Sequence, residues 1–338
     1  MFDNGKSRNS PLHGGNLTAA KAEFGAPKEG WIDLSTGINP VCYPRTEISE
    51  QSLRMLPTSG DVEILTNAAR DYYCVENEGA IIAAPGTQSV LQNLPQLYPD
   101  RKIAILSPTY SEHGHTWESA GNEIFRAEEF EALSIGDVAV LVNPNNPDGR
   151  RYSPEDIVRL AEKVELLIVD EAFCDASPDL SVVPHLKSSN ILVLRSIGKF
   201  FGLAGLRLGF VIGDAGITDA LRDQLGPWSV SGPAIEIGER ALLDIAWIAE
   251  MQKTLAVQST KLNDLLSAHA LTIVGGTELF TLIETEEAQA IYKTFGRAGI
   301  LLRRFEDQPN WLRIGLPGVK SEWQRFEAVL NAIDNMGE

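Results

Sequence analysis

The sequence predicts an α/β fold, with a mainly parallel, doubly wound sheet in a large domain and a smaller α+β domain behind it. Three observations point there. The runs Ala80–Ala84, Lys102–Leu106, Val138–Val142, Leu166–Val169 and Ile191–Leu194 are short, apolar and rich in Val, Ile and Leu. Strands buried on both faces of a parallel sheet read this way, because neither face meets water. Helical patterns lie between these runs, and alternation of strand and helix is the signature of a doubly wound sheet. The pattern then changes after residue 268, where strands and helices mix differently.

Taken in order, residues 1–40 carry Gly and Pro punctuation and little periodicity. They are expected to wrap onto the small domain or the active site. Residues 41–240 form the large domain. Within it, Ser153-Pro154-Glu155 opens a helix running to Lys163: a capping serine, a proline at the first helical position, then acid in the first turn. One long helical pattern runs from about Ile235 to Ala268, with Leu242, Ile245, Ile248, Leu262, Leu265 and Leu266 as its apolar positions. It joins the large domain to the small one, residues 241–338. There the strands are Leu271–Val274, Leu279–Ile283 and Leu312–Ile314, and the helices Glu287–Ala298 and Ser321–Asn335.

Of the 338 residues, 43% are hydrophobic and 22% charged, an ordinary globular balance. No apolar run approaches the ~18 residues that span a bilayer. Met1–Leu12 is polar and lacks the apolar centre of a signal peptide, so a cytoplasmic location is expected. Cys42, Cys74 and Cys174 are dispersed and odd in number, which favours reduced thiols over a disulfide framework. Lys and Arg number 29 against 46 Asp and Glu, a net charge of −17. Such a chain repels nucleic acid and acidic membranes, and an anionic small molecule would need a local basic site. His113 and His115 have no acidic partner at metal-ligand spacing; they read as loop or helix residues, and no metal is expected.

In an open α/β sheet, ligands bind beyond the carboxyl ends of the strands. The segments there are Pro85-Gly86-Thr87-Gln88, Ser107-Pro108-Thr109-Tyr110, Asn143–Gly149, Asp170-Glu171-Ala172-Phe173 and Arg195-Ser196-Ile197-Gly198-Lys199. Any one could be polar for solvation alone. A lysine, an aspartate, an asparagine, an aromatic and a Gly-Thr anion cradle on one edge is a chemical set.

That set resembles the pyridoxal-phosphate (PLP) enzymes of the aspartate-aminotransferase fold, fold type I, over nearly the whole chain and in the same order. Ser196-x-x-Lys199 followed by Gly205-Leu206-Arg207-x-Gly209 resembles the Schiff-base lysine segment. The resemblance implies PLP as cofactor, with Lys199 as the amine that holds it and as the catalytic residue. Asp170 would pair with the ring nitrogen, though a strand-end aspartate also serves as a helix cap. Asn146, in Asn146-Pro147-x-Gly149, would bond the ring hydroxyl, though a turn residue before proline looks the same. Tyr110 would stack on the ring; taken alone it is equally a core aromatic. Gly86 and Thr87 at a helix start, the Ser196 hydroxyl and the Arg207 guanidinium would hold the cofactor phosphate, a surface ion pair being the other reading of Arg207. Trp311-Leu312-Arg313-Ile314-Gly315 resembles the segment in which an arginine, here Arg313, grips the substrate carboxylate; an exposed strand arginine is the alternative. Two departures stand out. Phe173 replaces a tyrosine that donates to the ring oxygen in many relatives. Leu56-Pro57 replaces the Tyr-Pro of histidinol-phosphate aminotransferases.

Finer features narrow the resemblance. His13-Gly14-Gly15-Asn16, Asp33–Pro40, Asn143–Arg150, Leu194–Gly209, Pro227–Pro233 and Trp311–Pro317 resemble the threonine-phosphate decarboxylases of cobalamin biosynthesis. This implies decarboxylation of L-threonine O-3-phosphate to (R)-1-amino-2-propanol O-2-phosphate. It also implies a substrate site containing His13, Gly37, Asn39, Arg303 and Arg313, and a homodimer. A small phosphorylated amino acid is then the partner, with no nucleic acid and no membrane. An aminotransferase on a phosphorylated amino compound, of the histidinol-phosphate type, and a non-catalytic cofactor-binding protein are the other readings. The first would need a keto-acid acceptor. The second fits poorly with a retained lysine and a strongly acidic chain.

Overall fold

The structure is a computed structural model that describes residues 13–44, 47–76, 80–186 and 190–334. Its strands are β1 (Ile32–Asp33), β2 (Ala80–Ala84), β3 (Lys102–Leu106), β4 (Glu123–Ala127), β5 (Val138–Val142), β6 (Leu166–Asp170), β7 (Ile191–Ser196), β8 (Gly209–Gly213), β9 (Thr272–Thr277), β10 (Phe280–Glu284), β11 (Ile300–Leu301), β12 (Arg303–Arg304) and β13 (Trp311–Gly315). Its helices are α1 (Leu17–Phe24), α2 (Glu50–Arg54), α3 (Ser59–Tyr72), α4 (Thr87–Leu97), α5 (Ser111–Ser119), α6 (Pro154–Ala161), α7 (Ala215–Leu225), α8 (Gly232–Leu243), α9 (Ile245–Ala268), α10 (Ala288–Arg297) and α11 (Lys320–Asp334).

The large sheet has the strand order β2-β8-β7-β6-β5-β3-β4. Only β8 runs antiparallel, to both β2 and β7; the other pairings are parallel. All five apolar runs are strands, and β5, β6 and the apolar part of β7 are buried along their whole length. Alternate residues serve opposite cores. Ile82, Val140, Ile168 and Leu194 pack with Val90, Leu94, Trp117 and Leu221 of α4, α5 and α7. Ile81, Leu141, Val169 and Val193 enter the core on the other face, with Leu65 of α3 and Ala241 of α8. This two-sided burial makes the strands read as unbroken apolar runs.

A second sheet, β12-β13-β10-β9, is antiparallel throughout. β1 pairs parallel with β11, so residues 32–33 are stitched to residues 300–301. Helix α6 begins as its sequence requires: Ser153 accepts from the Asp156 amide, and Pro154 takes the first helical position. The long helix is corrected. It is two helices, α8 and α9, broken at Asp244, whose carboxylate caps the Trp247 amide and accepts from the Tyr43 hydroxyl. An N-capping side chain competes with helix continuation. The small-sheet strand expected over Leu271–Val274 runs from Thr272 to Thr277. Residues 1–12 of the N-terminal segment and the last residue of the expected helix Ser321–Asn335 lie outside the described residues. No helix among the described residues is long and apolar enough to cross a membrane.

The candidate active site

Parallel strands β3, β5, β6 and β7 end on the same edge, which brings their following loops together. A cavity of about 310 Å³ opens there, lined by His13, Tyr110, Asn146, Lys199, Arg303 and Arg313 among others. Segments separated by up to 300 residues in sequence thus meet in one space.

Lys199 follows the end of β7. Its Nζ donates to the Thr36 carbonyl at 3.2 Å and sits 5.3 Å from the centre of the Phe173 ring. Burial first, and then the Arg313 charge, push its pKa down to about 8 against the pull of Asp170. An amine so placed is available in its neutral, nucleophilic form near neutral pH. Phe173 lies edge-on to Phe280 and forms a dry floor.

Asp170 ends β6. Its Oδ1 accepts from the Ala172 amide at 3.0 Å, and its Oδ2 lies 3.0 Å from Nε2 of His113. His113 is a helix residue, as its sequence position suggests, and a fully buried one whose ring holds Asp170 across 57 residues of sequence. Local spacing could not show that contact, because β3 and β6 become neighbours of β5 only in the sheet. Among the described residues, no group of three or more His, Cys, Asp or Glu is placed to hold a metal. Replacing His113 with leucine should leave the fold intact. It should weaken cofactor retention roughly tenfold, the worth of one hydrogen bond to a charged group, as read by equilibrium cofactor titration.

The start of α4 lies against Arg207 and β8. Gly86 caps α4 at φ +78 and offers no side chain to its first amides. A Cβ there would stand 2.4 Å from Nη2 of Arg207. A Cβ on Gly209 would meet the Thr87 amide at 3.0 Å, so this strand and the helix start approach at glycine distance. The uncapped amides of α4, the Arg207 fork and the Ser196 hydroxyl form a donor set for an anion. Lys199, Arg207 and Arg313 form no ion pair among the described residues. The two arginines in a chain of charge −17 mark a site for anionic ligands.

Arg313, on β13, is 5% exposed, which excludes the exposed-strand reading. Nη1 donates to Oδ1 of Asn146 and Nη2 to the Ser35 carbonyl at 2.7 Å, while the buried Nε has no protein partner. With its Oδ1 engaged by Arg313, Asn146 lines the cavity with its amide nitrogen free to donate. Arg303 on β12 is the register partner of Arg313, so two guanidinium groups stand side by side on one sheet face. Burial first, and then Arg303, make the charge of Arg313 costly, and an anion between them would relieve this. Tyr110 lines the cavity, and burial and then Glu112 raise its hydroxyl to about 12, so it remains a donor.

Two expected substrate contacts serve the loop rather than the cavity. Asn39 is buried; its amide donates to the Phe200 carbonyl at 2.7 Å and its Oδ1 accepts from the Val41 amide. Gly37, at φ +61, lets the loop turn against Phe280 and Phe173, where a Cβ would stand 3.0 Å and 3.3 Å away. The loop reaches the site through backbone carbonyls, Ser35 to Arg313 and Thr36 to Lys199.

Lysine in a dry pocket, an aspartate braced by a histidine, an aromatic lid and an anion cradle together fit pyridoxal 5′-phosphate. The chain belongs to the aminotransferase class I and II family, whose model matches residues 32–326. Within that family it belongs with the threonine-phosphate decarboxylases. It is 41% identical over 314 residues to one from Sinorhizobium sp, covering 90% of this chain and 93% of that protein. It is 39% identical over 325 residues to one from Pseudomonas aeruginosa, covering 94% and 96%. The histidinol-phosphate aminotransferase of Sinorhizobium meliloti, solved in complex with pyridoxal-5′-phosphate, shares the fold at a TM-score of 0.79 and 17% identity, covering 100% of this chain and 99% of that one.

Proposed function

We propose that this chain is a PLP-dependent lyase that decarboxylates L-threonine O-3-phosphate to (R)-1-amino-2-propanol O-2-phosphate, within cobalamin biosynthesis. The observation that carries the reading is the paired Arg303 and Arg313 in the cavity that holds Lys199. A substrate with a carboxylate at one end and a phosphate at the other answers both charges. In this arrangement Arg313 holds the carboxylate as a rigid fork, and Arg303 with His13 receives the phosphate.

The bound cofactor supplies an electron sink for the pair left at Cα when the carboxylate departs as carbon dioxide. The protein's share is position and proton traffic. Arg313 sets which bond at Cα is presented for cleavage, because its own guanidinium is fixed by Asn146 and Ser35. Lys199 Nζ, beside that carbon, returns one proton to it. Asp170, braced by His113, would pair with the ring nitrogen of the bound cofactor, and the Phe173–Phe280 pair gives the site an apolar wall that excludes water.

Exchange of threonine phosphate for L-threonine tests the two-anion reading. Turnover of the phosphorylated amino acid with at least about 100-fold higher kcat/KM, one missing charged contact being worth up to ~3 kcal/mol, supports it. Equal turnover of both overturns it. A second expected result concerns pH. The rate at which apoprotein captures PLP, followed by visible absorbance, should rise as pH climbs toward 8 and level off above it. Below that value Lys199 is increasingly protonated and cannot attack a carbonyl.

Three coarser expectations belong to the same reading. The division into residues 1–40, 41–240 and 241–338 follows the two sheets and the β1–β11 stitch. A homodimer is supported by the exposed apolar side chains Leu53, Met55, Leu56 and Ile64 on and beside α2 and α3. A cytoplasmic setting suits a small-molecule enzyme of this composition.

A further inference from the structure

Behind the cavity wall, the start of α5 and the start of α4 share a line of hydrogen bonds that the mechanism above leaves unused. Glu112 is 7% exposed, and both of its carboxylate oxygens are engaged. Oε1 lies 2.8 Å from Nε2 of His13, and Oε2 accepts from the Gln88 side-chain amide at 2.5 Å. Gln88 in turn accepts from the Tyr110 hydroxyl at 3.3 Å. The His13 and Tyr110 rings are 6.2 Å apart between centres. One buried carboxylate therefore joins the N-terminal segment, at His13, to an aromatic that lines the site.

We infer that Glu112 is a positioning residue for substrate phosphate: it fixes the His13 ring so that this ring presents a donor to the phosphate. Imidazole has two nitrogens with distinct partners. With Nε2 given to Glu112, Nδ1 is the nitrogen left for substrate, and a ring held between a carboxylate and a phosphate satisfies both when it carries both protons. Among the described residues this half-exposed histidine on an irregular segment has no other such anchor: its side chain is 47% exposed, while that of Glu112 is 9% exposed. His13 lines both the active-site cavity and a second cavity between α4 and α5, whose lining also includes Glu112 and His115, so this histidine is the partition shared by the two spaces. Loosening the partition would cost the phosphate its seat and leave the cofactor's own contacts in place. This inference rests on the phosphorylated-substrate reading.

The test uses holoenzyme of wild type, Glu112→Gln, Glu112→Asp, His13→Ala and the double variant His13→Ala/Glu112→Gln. Glu112→Gln keeps the shape and the bond to Gln88 while removing the charge. It should raise KM for L-threonine O-3-phosphate about tenfold, the scale of one charge-assisted hydrogen bond, with kcat held within about twofold. Inhibition by inorganic phosphate should weaken by a similar factor, and cofactor affinity and visible spectrum should not move. Glu112→Asp, shorter but still anionic, should recover part of the loss. In the His13→Ala background the Glu112→Gln change should add nothing, since the two act as one unit. An equal KM increase in both backgrounds, or a fall in kcat and cofactor affinity with KM unchanged, overturns the inference and leaves Glu112 as a packing residue. If wild type releases no carbon dioxide from threonine phosphate, the reaction assignment fails. The phosphate titration of wild type against Glu112→Gln then still decides the role of Glu112.

Discussion

Replacing Lys199 with alanine is expected to leave a folded protein whose decarboxylation rate falls by at least about 10³-fold, within the range that a positioned proton-transfer group contributes. The fold should survive because, among the described residues, the Lys199 side chain makes a single hydrogen bond, to the Thr36 carbonyl. The cofactor should still bind, since the proposed phosphate cradle of Gly86, Thr87, Ser196 and Arg207 does not involve the amine. It would bind without the covalent link, so its visible absorbance would be that of the free aldehyde and it would be lost on dialysis. Lys199→Arg should not restore turnover: a guanidinium stays protonated and cannot attack a carbonyl. Activity within about tenfold of wild type in Lys199→Ala would remove the lysine from the chemistry.

The second large effect is on stability. Arg195 on β7 is 2% exposed and lies between two fully buried carboxylates. Its Nη1 meets Glu171 at 2.6 Å and its Nη2 meets Asp175 at 2.5 Å, with the Tyr73 ring 4.4 Å away. Glu171 also accepts from the Ser181 hydroxyl and the Val182 amide, and burial pushes both acids upward against the pull of Arg195. Arg195→Met would strand these acids in a dry core. Breaking such a cluster from one side costs about 3–5 kcal/mol, which denaturant unfolding would read directly. Adding Glu171→Gln and Asp175→Asn should recover a large share, because the penalty lies in the uncompensated charge rather than in the lost contact. A loss below about 1 kcal/mol in Arg195→Met would show the cluster to be solvated. The consequence for function is positional. Glu171 follows Asp170 and Arg195 precedes Ser196, so the cluster pins the strand ends that carry the site.

The parts of this architecture that the sequence made legible are those set by local burial. β3, β5, β6 and β7 are continuous apolar runs because water reaches neither side. Lys199, Asp170, Asn146, Tyr110 and Arg313 were legible because each stands just beyond or within a recognisable strand. What the sequence hid depends on contacts between distant segments. His113 sits at an unremarkable helical position, and its partner Asp170 comes within reach only through strand order. β8 escaped notice because glycines open and close it and it runs against its neighbours. The helix break at Asp244 is set by a capping carboxylate and by Tyr43, 201 residues away. Asn39 looked like a ligand group, yet its amide is consumed in holding Phe200, next to Lys199.

The central claim is that this site removes carbon dioxide rather than exchanging amino groups. The most direct test incubates the holoenzyme with L-threonine O-3-phosphate in the absence of any keto acid and measures carbon dioxide and aminopropanol phosphate. Stoichiometric release of both over many turnovers, from wild type and not from Lys199→Ala, is the result this account predicts. No carbon dioxide, with the cofactor converted to its amino form and turnover appearing only when a keto acid is added, would contradict it and make the protein an aminotransferase.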